Sequence, residues 1–283
     1  MEVAELRSTL QQIGDSTLSD VLLATLPRRK AEELEFHDEH RDTAAVAALG
    51  SEAKARDNAR MRNVYRTAQS SVDFVRNWVR TRVPGKVFLD YACGDGACAI
   101  DAARHGSALA IGLDISDVSV QNARRAAASA GVADRCVYVQ GDCEHTGLPD
   151  ESVDVVLCSG MLHHLDLSYA FPELRRILKK GGVILAAEAL NYNPLIKLYR
   201  HLTPQMRTEW EKRHILSLAD VRFASRFFDV ADVRYWHLLT PLAAYFTPAQ
   251  GLFEAADRVL LRVPFVQLMS WQFTFELHKR EDV

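Results

Sequence analysis

The segment between residues 86 and 190 constrains the fold most. It holds five short apolar runs, KVFLDY (86–91), ALAIGLD (108–114), RCVYVQ (135–140), VDVVLCS (153–159) and GVILAAEA (182–189). Helical stretches such as 117–130 and 170–180 separate them. A run that is apolar throughout reads as a strand buried on both faces, and strands alternating with helices imply a parallel sheet covered on both sides. Right-handed crossovers then leave few topologies, so an α/β doubly wound sheet is expected.

The flanks differ in texture. Residues 1–83 read as a charged, helical N-terminal region, with Met61, Val64, Tyr65, Ala68, Val72, Val75, Trp78 and Val79 at helical spacing over 57–83 and Pro84-Gly85 as the stop. Residues 84–190 are the core, and 191–227 are a mixed, aromatic insertion that reads as a helical lid. Residues 228–283 supply a strand (228–239), a helix (248–262) and a last alternating strand (271–279).

Composition narrows the class. The 283 residues carry a net charge of -3 and are 48% hydrophobic, which excludes disorder and gives no global electrostatic reason to bind nucleic acid. Mean hydropathy of -0.11 excludes a multi-span membrane protein. No secretory leader is visible in 1–30, and the apolar stretch 259–275 is interrupted by Arg262, Pro264 and Gln267. Cys93, Cys98, Cys136, Cys143 and Cys158 are odd in number and form no CxxC pair, which argues against a disulfide framework or structural zinc and for a reducing cytoplasm.

The chemistry concentrates in VFLDYACGDGACAI (87–100), a buried strand that ends in a turn with Gly94 and Gly96 before a helix begins. The bare Gly94-x-Gly96-x-x-Ala99 spacing also fits a dinucleotide fingerprint. Its neighbours separate the readings. Asp90 and Asp95 flank the turn, the second strand ends at Asp114 and the third at Gly141-Asp142. Carboxylates repel a pyrophosphate and attract an ammonium or sulfonium, while an acid after the second strand accepts hydrogen bonds from ribose hydroxyls. Taken singly, Asp90 also reads as a helix cap and Asp142 as a turn acid.

These residues resemble the class I S-adenosylmethionine-dependent methyltransferases of the small-molecule type, broadly similar to ubiquinone/menaquinone methyltransferases. The resemblance covers about 85–190 through VFLDYACGDG, IGLDIS (111–116), GDCEHTGLPDESVDVVLCSGMLHHL (141–165) and LRRILKKGGVILAAE (174–188). It departs at Ala92, where the family usually has its first glycine. It implies S-adenosyl-L-methionine as cofactor and S-adenosyl-L-homocysteine as product. It places Asp90, Ala92, Gly94 and Gly96 around the methionine moiety, Asp114 on the ribose and Ile115 on the adenine. Asp142 and Cys143 would read the adenine edge, and Ser159 would face the methionine ammonium. The last two strands would complete a seven-stranded, mostly parallel, Rossmann-like sheet with a reversed final strand.

In such a sheet ligands sit beyond the strand C-termini. The acceptor site is therefore expected to draw on Tyr65, Glu188, Tyr192 and Arg207, with His164, then His214, then His163 as the candidate base. Arg207 and Glu211 also read as a simple pair four apart on a helix. No metal is expected. The partner expected is a small, partly hydrophobic acceptor, with oxygen, nitrogen and carbon acceptors all open. The aromatic C-terminal stretch suggests a peripheral membrane contact or a homodimer face. Two rival readings remain at this point: an NAD(P)-dependent dehydrogenase using the same turn, and a non-catalytic binding or scaffold protein.

Overall fold

The computed structural model describes residues 2–15, 26–41, 65–203 and 207–280. Seven strands form one sheet: β1 (Val87–Tyr91), β2 (Leu109–Asp114), β3 (Cys136–Gln140), β4 (Val153–Ser159), β5 (Leu178–Ala189), β6 (Phe228–Trp236) and β7 (Gln272–Lys279). Their order is β3-β2-β1-β4-β5-β7-β6. The first five are parallel, and β7 runs antiparallel between β5 and β6. The seven-stranded, mostly parallel α/β sheet expected from the sequence is the fold observed.

The two-residue period of the strands divides the core. Leu89 and Tyr91 of β1 share one face with Leu6 and Leu10 of α1 (Val3–Asp15) and with Phe171 and Leu174 of α6 (Leu167–Ile177). Phe88, Val155 and Leu157 face the other side. There they meet Trp78 and Val79 of α3 (Gln69–Arg82), Ala99, Ala102 and Ala103 of α4 (Ala97–Arg104), and Val120 and Ala123 of α5 (Asp117–Ser129). The alanines bring α4 and α5 close to the sheet. A Cβ on Gly96 would lie 2.7 Å from the Ala123 Cβ and 2.8 Å from the Tyr138 ring, so that glycine is required by packing as well as by its φ of 77°.

Four boundaries differ from the sequence expectation. The helix expected over 170–180 ends at Ile177, because Leu178 turns extended and pairs with Val153 of β4. Strand β5 therefore begins at Leu178 rather than near 182. Strand β6 stops at Trp236, where His237 adopts φ 64° and turns the chain. The helix expected over 57–83 begins at Gln69, and Met61 and Val64 lie outside the described residues.

The chain moves outward from β1 through β2 to β3, then returns to the other side of β1 as β4. That reversal opens a crevice at the C-terminal ends of β1 and β4. Over it lies α7 (Pro194–Leu202), which starts at Asn193-Pro194: the Asn193 side chain accepts from the Leu195 N–H at 2.9 Å, and proline takes the first turn. The short α8 (Glu211–His214) and α9 (Leu218–Ala224) follow it. A further helix, α10 (Gln250–Leu260), connects toward β7.

Candidate active site

The turn after β1 is built from left-handed backbone. Ala92 has φ 59°, Gly94 φ 52° and Gly96 φ 77°. The Asp114 carboxylate ties this turn to β2 by accepting from the Gly94 N–H at 2.8 Å and the Ser116 N–H at 3.0 Å. Asp90 is buried, and its Oδ2 accepts from the Ala99 N–H at 3.2 Å. Burial pushes its pKa up to about 7; the Ala99 bond opposes the rise and the Asp114 charge adds to it. Asp142 accepts from the Glu144 N–H at 2.9 Å. Cys143 is buried, and its carbonyl accepts from the Tyr91 hydroxyl. Three carboxylates thus stand at the ends of adjacent strands, with the turn's Gly94 N–H directed at one of them. The set suits ribose hydroxyls and a cationic ligand and opposes a pyrophosphate.

A helix that the sequence reading did not single out, α2 (Arg28–Arg41), runs over these strand ends. Its Lys30 pairs with Asp142 and with Glu144, the latter at 2.8 Å. Its Asp38 accepts from the Ser116 hydroxyl. Arg29 reaches Glu144 at 2.6 Å and donates to the His164 carbonyl at 2.9 Å. Glu33 accepts from the Thr208 hydroxyl and lies 2.8 Å from His164 Nδ1. The ends of β2, β3 and β4 are therefore covered by α2.

Toward β4 and β5 the crevice opens into a cavity of about 1210 Å³. Ser159 at the end of β4, Gly160 after it, Cys98 of α4 and Glu188 of β5 line it beside His163, His164, Tyr65, Arg200, Arg207 and Glu211. Valines 72, 75 and 79, Leu242 and Trp271 supply apolar wall. Glu188 is buried and fully engaged. One oxygen accepts from the Met161 and Leu162 N–H groups at 2.8 Å each, and the other lies 2.7 Å from His163 Nδ1. Burial works against a charged His163 ring, but the Glu188 carboxylate outweighs it and holds the pKa above the ordinary histidine value. The His163 and His164 rings lie 4.2 Å apart.

The structure does not bring every sequence candidate here. His214 is exposed, and its ring stacks on Trp210 at 3.6 Å, outside the cavity lining. Tyr192 packs against the core, and its hydroxyl accepts from the Leu218 N–H at 3.1 Å. Of the cofactor candidates only Ser159 lines the cavity; Asp90, Ala92, Gly94 and Gly96 of the turn, and Asp114, Ile115, Asp142 and Cys143, lie outside its lining. Arg207 does line the cavity and pairs with Glu211 at 3.4 Å, so the simple helical pair and the site role coincide. Among the described residues one group offers metal-type ligand atoms within 4.8 Å of one another: His163, His164 and Glu211. Two arginines stand beside it, which disfavours a cation. Lys30, Glu33 and Arg200 were missed. Charged residues on a short, strongly polar helix carry no periodic signal, and Arg200 was visible only as one basic residue in the lid segment.

A sheet with this order, its crevice at the switch point and carboxylates at three strand ends define a Rossmann-like domain for a cationic nucleoside cofactor. A family model described as a methyltransferase domain matches residues 89–186. The ubiquinone biosynthesis O-methyltransferase of Neisseria meningitidis serogroup C is 34% identical over 174 residues, 55% of this chain and 70% of that protein. The sterol 24-C-methyltransferase ERG6B of Gibberella zeae is 35% identical over 101 residues, 35% of this chain and 27% of that protein. The chain thus spans about a quarter of that sterol enzyme's length. A geranyl diphosphate methyltransferase solved with S-adenosylmethionine superposes with a TM-score of 0.59 at 17% identity, over 83% of this chain and 94% of that one. The chain belongs to the class I S-adenosylmethionine-dependent methyltransferases, and its cofactor is S-adenosylmethionine.

Proposed function

We propose that the protein is an enzyme that transfers the methyl group of S-adenosylmethionine to a small, partly hydrophobic acceptor. The observation that carries this reading is the cavity of about 1210 Å³ that reaches the start of α4 behind the cofactor turn, at Ala97 and Cys98, and the end of β4, at Ser159 and Gly160, and extends from there to a histidine–glutamate pair and apolar walls. Asp90, Ala92, Gly94 and Gly96 would surround the methionine moiety. Asp114 would hold the ribose, Ile115 the adenine face, Asp142 and Cys143 the adenine edge, and Ser159 the ammonium. When bound, the cofactor supplies a methyl group on a sulfonium, which leaves as a neutral thioether when an acceptor electron pair takes the methyl.

The chain's own part is placement, exclusion of water and one proton. Glu188 takes His163 Nδ1, which turns Nε2 away from it as the candidate base, and its charge stabilises the ring once a proton arrives. His164, held by Glu33 of α2, is the second candidate. Tyr65 and Arg207 would contact the acceptor, and Glu188 would act through His163. We place the enzyme in the cytoplasm; no described helix is long and apolar enough to cross a membrane. Exposed Leu195, Leu198 and Leu202 on α7, with Leu242, Tyr245 and Phe265, support a surface contact with lipid or a second copy.

Titration calorimetry with S-adenosylmethionine, S-adenosylhomocysteine and NADH tests the reading. Binding of the first two and not the third is expected, and Asp114→Ala should weaken both by about 1–3 kcal/mol. Binding of NADH alone would sink it. Intact cofactor binding with no methyl transfer across an acceptor screen would favour the scaffold reading. In the active enzyme, His163→Ala should lower kcat with little change in cofactor affinity.

A further inference from the structure

The lining of the cavity as a whole has an excess of positive charge in a chain whose net charge is -3. Five arginines line the cavity (Arg76, Arg80, Arg104, Arg200 and Arg207) against three carboxylates (Asp101, Glu188 and Glu211). Glu188 is spent on His163 and two backbone N–H groups, and Glu211 on Arg207. Arg200 is left over: its Nη1 is buried with no hydrogen-bond partner. Burial, and next the Arg207 guanidinium, push its pKa down to about 10, still far above neutrality, so it is charged in use. A buried guanidinium N–H without an acceptor is costly unless something supplies one.

Resting on the methyltransferase reading, we propose that Arg200, with Arg207, binds an anionic oxygen group on the acceptor, a carboxylate or phosphate, inside the cavity. The acceptor is then an amphiphile: an acid head at the arginines and an apolar body against Val72, Val75 and Trp271. A guanidinium offers paired donors that match either oxyanion. The Arg207–Glu211 pair, with the Thr203 carbonyl and hydroxyl that accept from Arg207 Nη1 at 3.2 Å, holds the second guanidinium in place.

The test uses the full chain saturated with S-adenosylhomocysteine and three probes of equal chain length: decanoate, decyl phosphate and decanol. The acids are expected to bind at least tenfold tighter than the alcohol. Arg200→Gln should remove most of that preference, and Arg200→Lys should keep part of it. Because Nη1 has no partner in the protein, Arg200→Gln should melt no lower than wild type and bind S-adenosylhomocysteine as wild type does. Equal binding of acid and alcohol overturns the proposal, as does a preference that survives Arg200→Gln, or a variant that unfolds. Decanoate against decyl phosphate separates the two oxyanions. Wild type that prefers the acids yet binds no S-adenosylhomocysteine would overturn the methyltransferase reading and leave the anion site standing.

Discussion

Ala92 occupies left-handed backbone at φ 59°, a conformation that favours glycine. An L-residue there costs roughly 1–2 kcal/mol, part of which glycine returns through a more flexible unfolded chain. Ala92→Gly is therefore expected to raise stability by up to about 1 kcal/mol, read from the urea midpoint. Two residues earlier, Asp90 has its pKa raised to about 7, with burial as the first cause. Between the ordinary carboxylate value and about 7 the folded protein holds a proton that the unfolded chain has lost. This group's contribution to stability therefore falls as pH rises through that window. A cationic ligand favours the ionised form, so S-adenosylmethionine affinity should tighten as pH rises toward about 7 and level off above it. Asp90→Asn should flatten that dependence in calorimetry at a series of pH values.

Strands and the α2 helix were legible to different degrees. Each parallel strand announced itself as a run buried on both faces, and its boundary was readable to within a residue or so except where Leu178 joined β5 early. The acids after β1, β2 and β3 were readable because strand ends fix their place. Helix α2, Arg28–Arg41, was not, because it docks by charge: its Lys30 reaches Asp142 and Glu144, and its Arg29 reaches Glu144. Partners more than a hundred residues away leave no local pattern. The consequence is testable. Lys30→Gln leaves two buried carboxylates without that cation, at a cost of about 3 kcal/mol. Hydrogen exchange over 28–41 should speed up markedly, while β1 to β5 keep their protection. Unchanged exchange there would deny the ion pairs their anchoring role. The base was only partly legible: His163 and His164 reach the cavity, but nothing in the sequence showed that His214 would stack on Trp210 instead.

At the scale of the molecule, several large apolar side chains among the described residues stand open to solvent. Leu195 is 74% exposed and Phe265 81% exposed, with Leu198, Leu202 and Tyr245 also open. A lipid surface or a second copy would remove that area from water at about 25 cal/mol per Å². Cosedimentation with phosphatidylglycerol vesicles and sedimentation velocity distinguish the two. Leu195→Ser with Phe265→Ser should lower the vesicle-bound fraction several-fold in the first case and the dimer fraction in the second. If neither changes, the face is not a contact surface.

Strand β7 follows β6 in the chain yet lies inside the sheet, and β6 pairs with β7 alone. During synthesis, residues 228–236 leave the ribosome before their only sheet neighbour has been made, and β5 waits for the same segment on one edge. A nascent chain stalled before Gln272 therefore presents unpaired strand edges, the state most open to mispairing and to chaperone capture. The seven-stranded sheet closes late, and translation speed over the α10 segment sets how long that window lasts.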